Sequence, residues 1–435
     1  MVFTDLADFH HWLAKRHEAN EYRVIPAPLN RLDGWAADPV TGDLHHTSGR
    51  FFTVHGLDVT GSGREVGHWQ QPIINQPEHG VLGILVKEFD GVPHCLLQAK
   101  MEPGNINTLQ LSPTVQATRS NYTRVHRGRA VPYLELFIAR GHGRPLADAL
   151  QSEQGSWFLA KRNRNIVLLI DDDIPVLDDF CWLSLDQIGD LLKVHDLVNM
   201  DTRTVLSHLP DALLPAGGRF RGAPAHTLAD LLNWLTHHKT MDRTTRRTVP
   251  LAKTEGWRLT DEELRHEHDR YFRVVGVDVR AENREVAHWS QPMLAPCGEG
   301  VVAFVVRRID GVPHVLVQAR AEAGTPDGVE IAPTVQCSPG NYAHLADGVR
   351  PRYLDTVLSA HPERVLFDVV HSEEGGRFYH ARNRYRAVEV PDDFPVDVPD
   401  GFHWATCGQL ARINQYGGLL NVETRNLLTC MGFIA

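Results

Sequence analysis

A chain of 435 residues is too long for one ordinary core and suits two domains of about 200 residues each. Its 42% hydrophobic and 23% charged residues are usual for a globular protein, and the net charge of −10 argues against a nucleic-acid scaffold, which carries a basic face. Asp5, Asp8, Lys15 and Arg16 break up the N-terminus, and no apolar run of about 18 residues occurs, so neither a signal peptide nor a membrane span is expected.

In chain order, residues 4–18 place Leu6, Phe9, Trp12 and Leu13 on one helical face, with Thr4 as the expected N-cap. An irregular arm follows, ending in Leu32-Asp33-Gly34-Trp35. Val81–Phe89 and His94–Lys100 are apolar strands joined by Asp90-Gly91-Val92-Pro93, a hairpin signal. Ile166–Ile170 reads as a strand. Ser184 should cap a helix reaching about Asn199, and a short helix should carry Thr202-Arg203. Leu209–Ala225, rich in Pro and Gly, reads as a linker.

Beyond the linker the chain repeats itself. Arg64–Pro72, REVGHWQQP, returns as REVAHWSQP at Arg284–Pro292, and Phe51–Tyr122 lies over Tyr271–Tyr342 without a gap. The first helix returns at Thr227–His238, the hairpin at Val301–Arg320, and Thr202-Arg203 as Thr424-Arg425. Strand signals flanked by helices make each half α+β. Cys95, Cys181, Cys297, Cys337, Cys407 and Cys430 form no CxxC pair, and Cys95 and Cys337 face Val315 and Ala117 in the other copy. A duplicated disulfide or zinc framework would have been copied, so reduced thiols in a cytoplasmic protein are expected.

Each residue can therefore be weighed against its twin. Val54, Val86 and Leu96 recur as packing, and Gly56, Gly91 and Pro93 as turn geometry. What remains is polar and aromatic: Trp35/Trp257, Arg64/Arg284, His68/His288, Trp69/Trp289, Glu102/Glu322, Gln116/Gln336, Asn121-Tyr122/Asn341-Tyr342, Ser152/Ser372, Arg162-Asn163-Arg164 and Arg382-Asn383-Arg384. Singly, each has a plainer reading. Arg64 with Glu65 suits a surface pair worth under about 1 kcal/mol, His68 a structural histidine, Trp69 a core residue. Together they suit a ligand with rings, hydroxyls and phosphates, because aromatics stack, amides read hydroxyls and guanidiniums clamp phosphate. Thr118-Arg119-Ser120 and Ser338-Pro339-Gly340 precede the Asn-Tyr pairs, and such turns can offer backbone N–H groups to an anion.

The phrases REVxHWxQP, QA[KR]xExG at Gln98–Gly104 and Gln318–Gly324, PTVQ at Pro113–Gln116 and Pro333–Gln336, and the two RNR triplets resemble the NDP-hexose 2,3-dehydratases over essentially the whole chain. The resemblance implies a tandem duplication of a Nudix-like α/β sandwich with flanking helices, residues 1–215 and 222–435. It also implies a homodimer, a dTDP-4-keto-6-deoxyglucose substrate, deoxysugar biosynthesis, and a downstream NADPH-dependent 3-ketoreductase. A Nudix pyrophosphatase would need several glutamates after the glycine loop to hold metal. ATRSNY after Gln116 and CSPGNY after Gln336 contain no carboxylate, so that alternative and a non-catalytic nucleotide-sugar binder stand second. No metal or other cofactor is expected, since a C4 ketone already activates the C3 proton and no GxGxxG unit is visible. Glu102/Glu322 and His68/His288 are the expected acid–base residues, with Tyr122/Tyr342 next as acid or enolate donor. Substrate binding is assigned to Trp35, Trp257, Arg64, Arg284, Trp69, Trp289, Thr118, Arg119, Ser120, Asn121, Gly340, Asn341, Ser152 and Ser372. The diphosphate is assigned to Arg162, Arg164, Arg382 and Arg384 around Asn383.

Overall fold

The computed structural model describes residues 1–61, 66–122, 129–139, 141–214, 222–282, 284–345 and 349–433. Part of the expected linker, residues 215–221, lies outside them. Each half carries one seven-stranded and one five-stranded sheet. In the first half the larger sheet runs Arg144–Ser152, Arg162–Leu169, Gly80–Phe89, Val92–Met101, Phe180–Ser184, with Leu109–Pro113 and Val115–Ala117 attached. Only Arg162–Leu169 beside Gly80–Phe89 is parallel. The second half repeats the order, with Arg382–Glu389 parallel to Gly300–Ile309. The expected hairpins form, Asp90-Gly91 and Asp310-Gly311 turning with φ of 50° and 77°, and 50° and 78°. Consecutive positive φ values give the turn whose twist matches antiparallel strands.

Helices cover one face of each large sheet. The first helix is Leu6–Ala19, capped by Asp5 rather than Thr4: its carboxylate accepts the Ala7 amide at 2.7 Å. It buries Phe9 and Trp12 against Ile84, Leu97 and Leu183. Ser184 forms the expected capping box with Gln187, but its helix ends at Leu191. Leu228–Met241 and Cys407–Asn414 repeat the pattern over Phe304, Val317 and Ala405.

The smaller sheets are shared between the halves. Strand Tyr22–Ala27 leaves the first half and pairs antiparallel with Phe272–Ala281 of the second. In return, Thr245–Val249 pairs with Thr53–Thr60. Gly56 and Gly276 are therefore not turn residues. Each lies mid-strand where the exchanged strand passes, and a Cβ on Gly276 would sit 2.3 Å from the Ala27 carbonyl oxygen. Beneath the exchange lies one core drawn from both halves, with Leu29, Phe52 and Phe158 against Leu251, Phe272 and Phe378.

A second seam is polar. Helices Met200–Leu206 and Val422–Gly432 pack together, and their arginines, both fully buried, cross it. Arg203 donates to the carbonyls of Val198 and, in the other half, Ser372; Arg425 donates to those of Leu420 and Ser152. Ser152 and Ser372 belong to this seam. Their hydroxyls are bound by Glu330 at 2.6 Å and Asp196 at 2.9 Å, so the sugar-binding expectation for both is corrected to an interdomain packing role. Cys95, Cys181, Cys297 and Cys430 form no disulfide, and no helix among the described residues is long and apolar enough to cross a membrane.

Candidate active site

Two loops decide where the clefts lie. Glu153–Phe158 and Glu373–Phe378 follow twin strands and meet between the halves. Gly104 donates its amide to Gly375 O at 2.7 Å and Gly324 to Gly155 O at 2.6 Å. A Cβ on Gly104 would fall 1.8 Å from Phe378 O, and one on Gly324 at the same distance from Phe158 O. The glycine ending each QA[KR]xExG phrase thus lets one half's backbone touch the other. Side chains of each loop divide between two cavities, so each cleft is built by both halves.

The second-half cleft has a volume of about 500 Å³. Beneath its floor of Ser156, Arg320 and Gln336 lies Glu322, whose carboxylate accepts from Ser156 Oγ at 2.8 Å, Gln336 Nε2 at 3.0 Å and Arg320 Nε at 3.1 Å. Asn421 Nδ2 in turn donates to Gln336 at 2.7 Å. The walls are aromatic: Trp257, Tyr271 and Tyr342 from the second half face Trp69 and Trp157 from the first. Asn341, Arg382 and Asn383 also line it. Trp69 is fixed by donation to Gln71 at 2.9 Å and Trp257 by donation to Gln70 O at 2.9 Å.

The first-half cleft repeats the floor. Gln116 Nε2 donates to Glu102 at 2.9 Å, and Asn199 Nδ2 to Gln116 at 3.2 Å. Above this floor it is charged rather than aromatic. Lys100, Glu153, Lys161 and Asp201 come from the first half, Arg284, Glu374 and Arg377 from the second, around a volume of about 100 Å³. Lys100 lies 3.6 Å from Glu102, and Arg284 donates to Met101 O at 2.8 Å. Lys161 donates to the Glu78 carbonyl. One carboxylate oxygen on each of Glu102, Glu153, Asp201 and Glu374 is buried without a hydrogen bond. Burial, then neighbouring carboxylates, lifts Asp201 well above the usual carboxylate range and Glu374 to about 7. Burial brings Lys161 down to about 8 against the pull of Glu153.

The structure sorts the expected residues unevenly. Glu102, Thr118, Asn121 and Arg284 line the first cleft, and Trp69, Trp257, Asn341, Tyr342, Arg382 and Asn383 the second. Ser120 is buried and bonded to Thr118 at 2.8 Å, while Arg119 and Gly340 are exposed. Arg64 and the side chain of Tyr122 lie outside the described residues. Trp35 donates to Ser290 O at 2.8 Å and packs on Phe52. Trp289 donates to Gln291 at 3.1 Å, with the Arg284 guanidinium 5.9 Å from its ring.

Several expectations need correction. His68 and His288 are half exposed on strand surfaces, paired with Asp58 at 3.3 Å and Asp278 at 2.8 Å. His68 reaches only the wall of the second cleft, and each histidine bonds an aspartate on the neighbouring strand rather than Glu102 or Glu322. Arg164 and Arg384 are spent on cross-strand Asp148 and Asp368, two hydrogen bonds each, and Arg162 pairs with Asp327 at 2.5 Å. None of these three lines a cleft, and ion pairs occupy the guanidiniums that were expected to meet the diphosphate. Asp201, Glu374, Arg377, Gln154 and Trp157 escaped the sequence reading, and Lys161, whose replacement by Ala381 sets the halves apart, was given no site role. For five of these the signal is the twin comparison inverted: Lys161 faces Ala381, Gln154 faces Glu374, and Trp157 faces Arg377, whereas Asp201 faces another carboxylate, Glu423. Among the described residues no group of three or more His, Cys, Asp or Glu side chains is arranged to hold a metal ion.

The family description NDP-hexose 2,3-dehydratase matches the sequence twice, at residues 6–209 and 228–431. A dTDP-4-dehydro-6-deoxy-alpha-D-glucopyranose 2,3-dehydratase of Streptomyces violaceoruber is 57% identical over 99% of this chain and 98% of its own. Enzymes of the same name from Saccharopolyspora spinosa and Amycolatopsis orientalis are 49% and 48% identical, each over 98% of this chain and 90% of their own. With one unit matched in each half, around clefts the halves build jointly, the chain belongs to the NDP-hexose 2,3-dehydratase family.

Proposed function

We propose that this chain dehydrates dTDP-4-keto-6-deoxy-D-glucose, expelling the C2 hydroxyl to give a dTDP-3,4-diketo-2,6-dideoxyhexose in deoxysugar biosynthesis. The full-length likeness to enzymes of that name carries the reading. The C4 ketone acidifies the C3 hydrogen. Its removal gives an enolate on O4, whose electron pair returns to expel the C2 oxygen as water once protonated. The 3-hydroxy-2-ene left behind tautomerises to the diketone. The reaction needs a proton acceptor at C3, a proton donor at the C2 oxygen and donors at O4, all in a site with little bulk water.

Both clefts take nucleotide sugar in this reading, and the first does the chemistry. The small, charged first cleft favours it, since carboxyls with raised pKa stand there beside cations. Arg284 and the Thr118–Asn121 turn receive the diphosphate, with Trp35 and Trp289 beside the base. In the second cleft Trp69 and Trp257 stack on the base, Arg382 and the Asn341-Tyr342 turn meet the phosphates, and Glu322 holds a sugar hydroxyl. Each half is a Nudix-like sandwich, the chain works as a homodimer, and an NADPH-dependent 3-ketoreductase consumes the unstable product. Arg284→Met should weaken dTDP binding to the first cleft by about tenfold or more, since a charged hydrogen bond is worth about 1.5–3 kcal/mol. Isothermal titration should then find one weakened and one unaltered site. A single dTDP site in the wild-type chain contradicts the two-cleft reading.

A further inference from the structure

The two clefts share a backbone plan and the charged pairs Lys100/Arg320, Glu153/Glu373 and Asp201/Glu423, but they differ in the rest of their lining. Lys161, Glu374 and Arg377 line the first; of their twins, Gln154 and Trp157 line the second, while Ala381 lies in the shared apolar core. This internal control separates a functional role from a structural one. The second copy builds the same strands and the same crossed loops without these groups, so the fold does not require them. Burying unpaired carboxylate oxygens beside an ammonium is costly, and such a cost persists where a ligand supplies the missing partners.

We propose that Glu374, delivered by the second half, is the proton-transfer residue of the first-half cleft, and that Lys161 holds the enolate oxygen. The inference rests on the dehydratase reading above. Glu374 Oε1 is tied to the Gly376 amide at 3.0 Å, while Oε2 is buried and accepts no hydrogen bond. Lys161 comes from the first half, on the segment between Phe158 and strand Arg162–Leu169, and lines the same cavity. In the step itself, the Glu374 carboxylate takes the C3 proton. The C3–H electron pair moves into the C3–C4 bond and the carbonyl pair onto O4, opposite the Lys161 ammonium. The enolate then reforms the C4 carbonyl and a C2–C3 double bond as the C2–O bond breaks, and Glu374 returns its proton to the departing hydroxide. One water leaves, no oxidant is needed, and the carboxylate is regenerated.

Glu374 must be ionised and Lys161 protonated in the free enzyme. The groups facing them are Glu102 and Lys100 on the strand Val92–Met101, Glu153 and Asp201 from the first half, and Arg284 and Arg377 from the second. With Glu374 at about 7 and Lys161 at about 8, kcat/KM should rise through the first value and fall through the second. The experiment uses the full chain with dTDP-4-keto-6-deoxyglucose and follows C3 deuterium wash-in and loss of water. Glu374→Gln should cut both by about a hundredfold or more while dTDP binding stays within a few-fold, and its residual rate should lack the acid limb. Lys161→Arg keeps the charge, so it should retain activity and move the alkaline limb upward; Lys161→Met should lose about a hundredfold. Glu374→Gln within tenfold of wild type, or an unmoved alkaline limb in Lys161→Arg, overturns the assignment. Absence of water loss in the wild-type chain would instead overturn the dehydratase reading itself.

Discussion

His371 is buried completely, and burial, followed by the charges of Arg203 and His195, holds its imidazole well below the ordinary value. The folded protein therefore binds no proton there, while the unfolded chain binds one below about pH 6.5. The unfolded state takes up more protons as pH falls, so this group costs stability below that value, by up to about 1.4 kcal/mol for each further unit. The twin of His371 is Gln151, which donates to Asn414 O at 2.8 Å. Denaturant midpoints measured from pH 7 to pH 5 should fall less steeply in His371→Gln than in wild type, and parallel slopes would refute the assignment. Arg425 tests the polar seam in the same way. Its guanidinium satisfies Leu420 O, Ser152 O and Thr204 Oγ1, so Arg425→Met should lower stability by about 3–5 kcal/mol. A change under about 1 kcal/mol would show the seam to be incidental. At this scale the sequence told much about which residues mattered and less about why. Ser152 and Ser372 recur because two halves must dock, and Glu102 and Glu322 because two clefts need the same floor. Recurrence alone separates neither case. Glu374 escaped because it does not recur, and Lys161, opposite Ala381, told the halves apart without naming a role.

Among the elements, the hairpins and the Ser184 cap were legible, because turn and cap chemistry is local, whereas Asp5 rather than Thr4 caps the first helix. Asp-Gly sets the turn at Asp90-Gly91, and Ser184 and Thr227 set their capping boxes. The exchange of Tyr22–Ala27 and Thr245–Val249 was not. Each strand finds a nearly identical edge in either half, so pattern and propensity are the same for the closed and the exchanged pairing. Gly56 and Gly276 let each arriving strand pass close, but as twins they do not choose between the two pairings. Gly276→Val should force Ala27 or Leu32 aside and destabilise by about 1–3 kcal/mol, with Gly56→Val acting likewise through Val249 and Thr254. Thermal melts that leave both variants at the wild-type midpoint would show that the exchanged strands ride more loosely than this packing requires.

In the whole molecule, exchanged strands, crossed loops and the buried arginine seam make the halves mutually dependent despite their separate sheets. Fragments 1–212 and 226–435, expressed together, should associate and fold, while each alone should lack a cooperative melt. The duplication was plain in the sequence, yet its consequence was not: a cleft belongs to neither copy. One gene fusion has thus let a single floor, Glu102 with Gln116 or Glu322 with Gln336, diverge under two roofs, one charged and one aromatic. The central claim is that this chain strips water from a 4-keto nucleotide sugar, and mass spectrometry of the product tests it most directly. Incubated with dTDP-4-keto-6-deoxyglucose, a 3-ketoreductase and NADPH, the protein should yield a dTDP-sugar lighter than the 3-hydroxy substrate by one oxygen, through loss of water and gain of hydride and proton. Recovery of unaltered keto-sugar, or release of dTMP, would contradict the account.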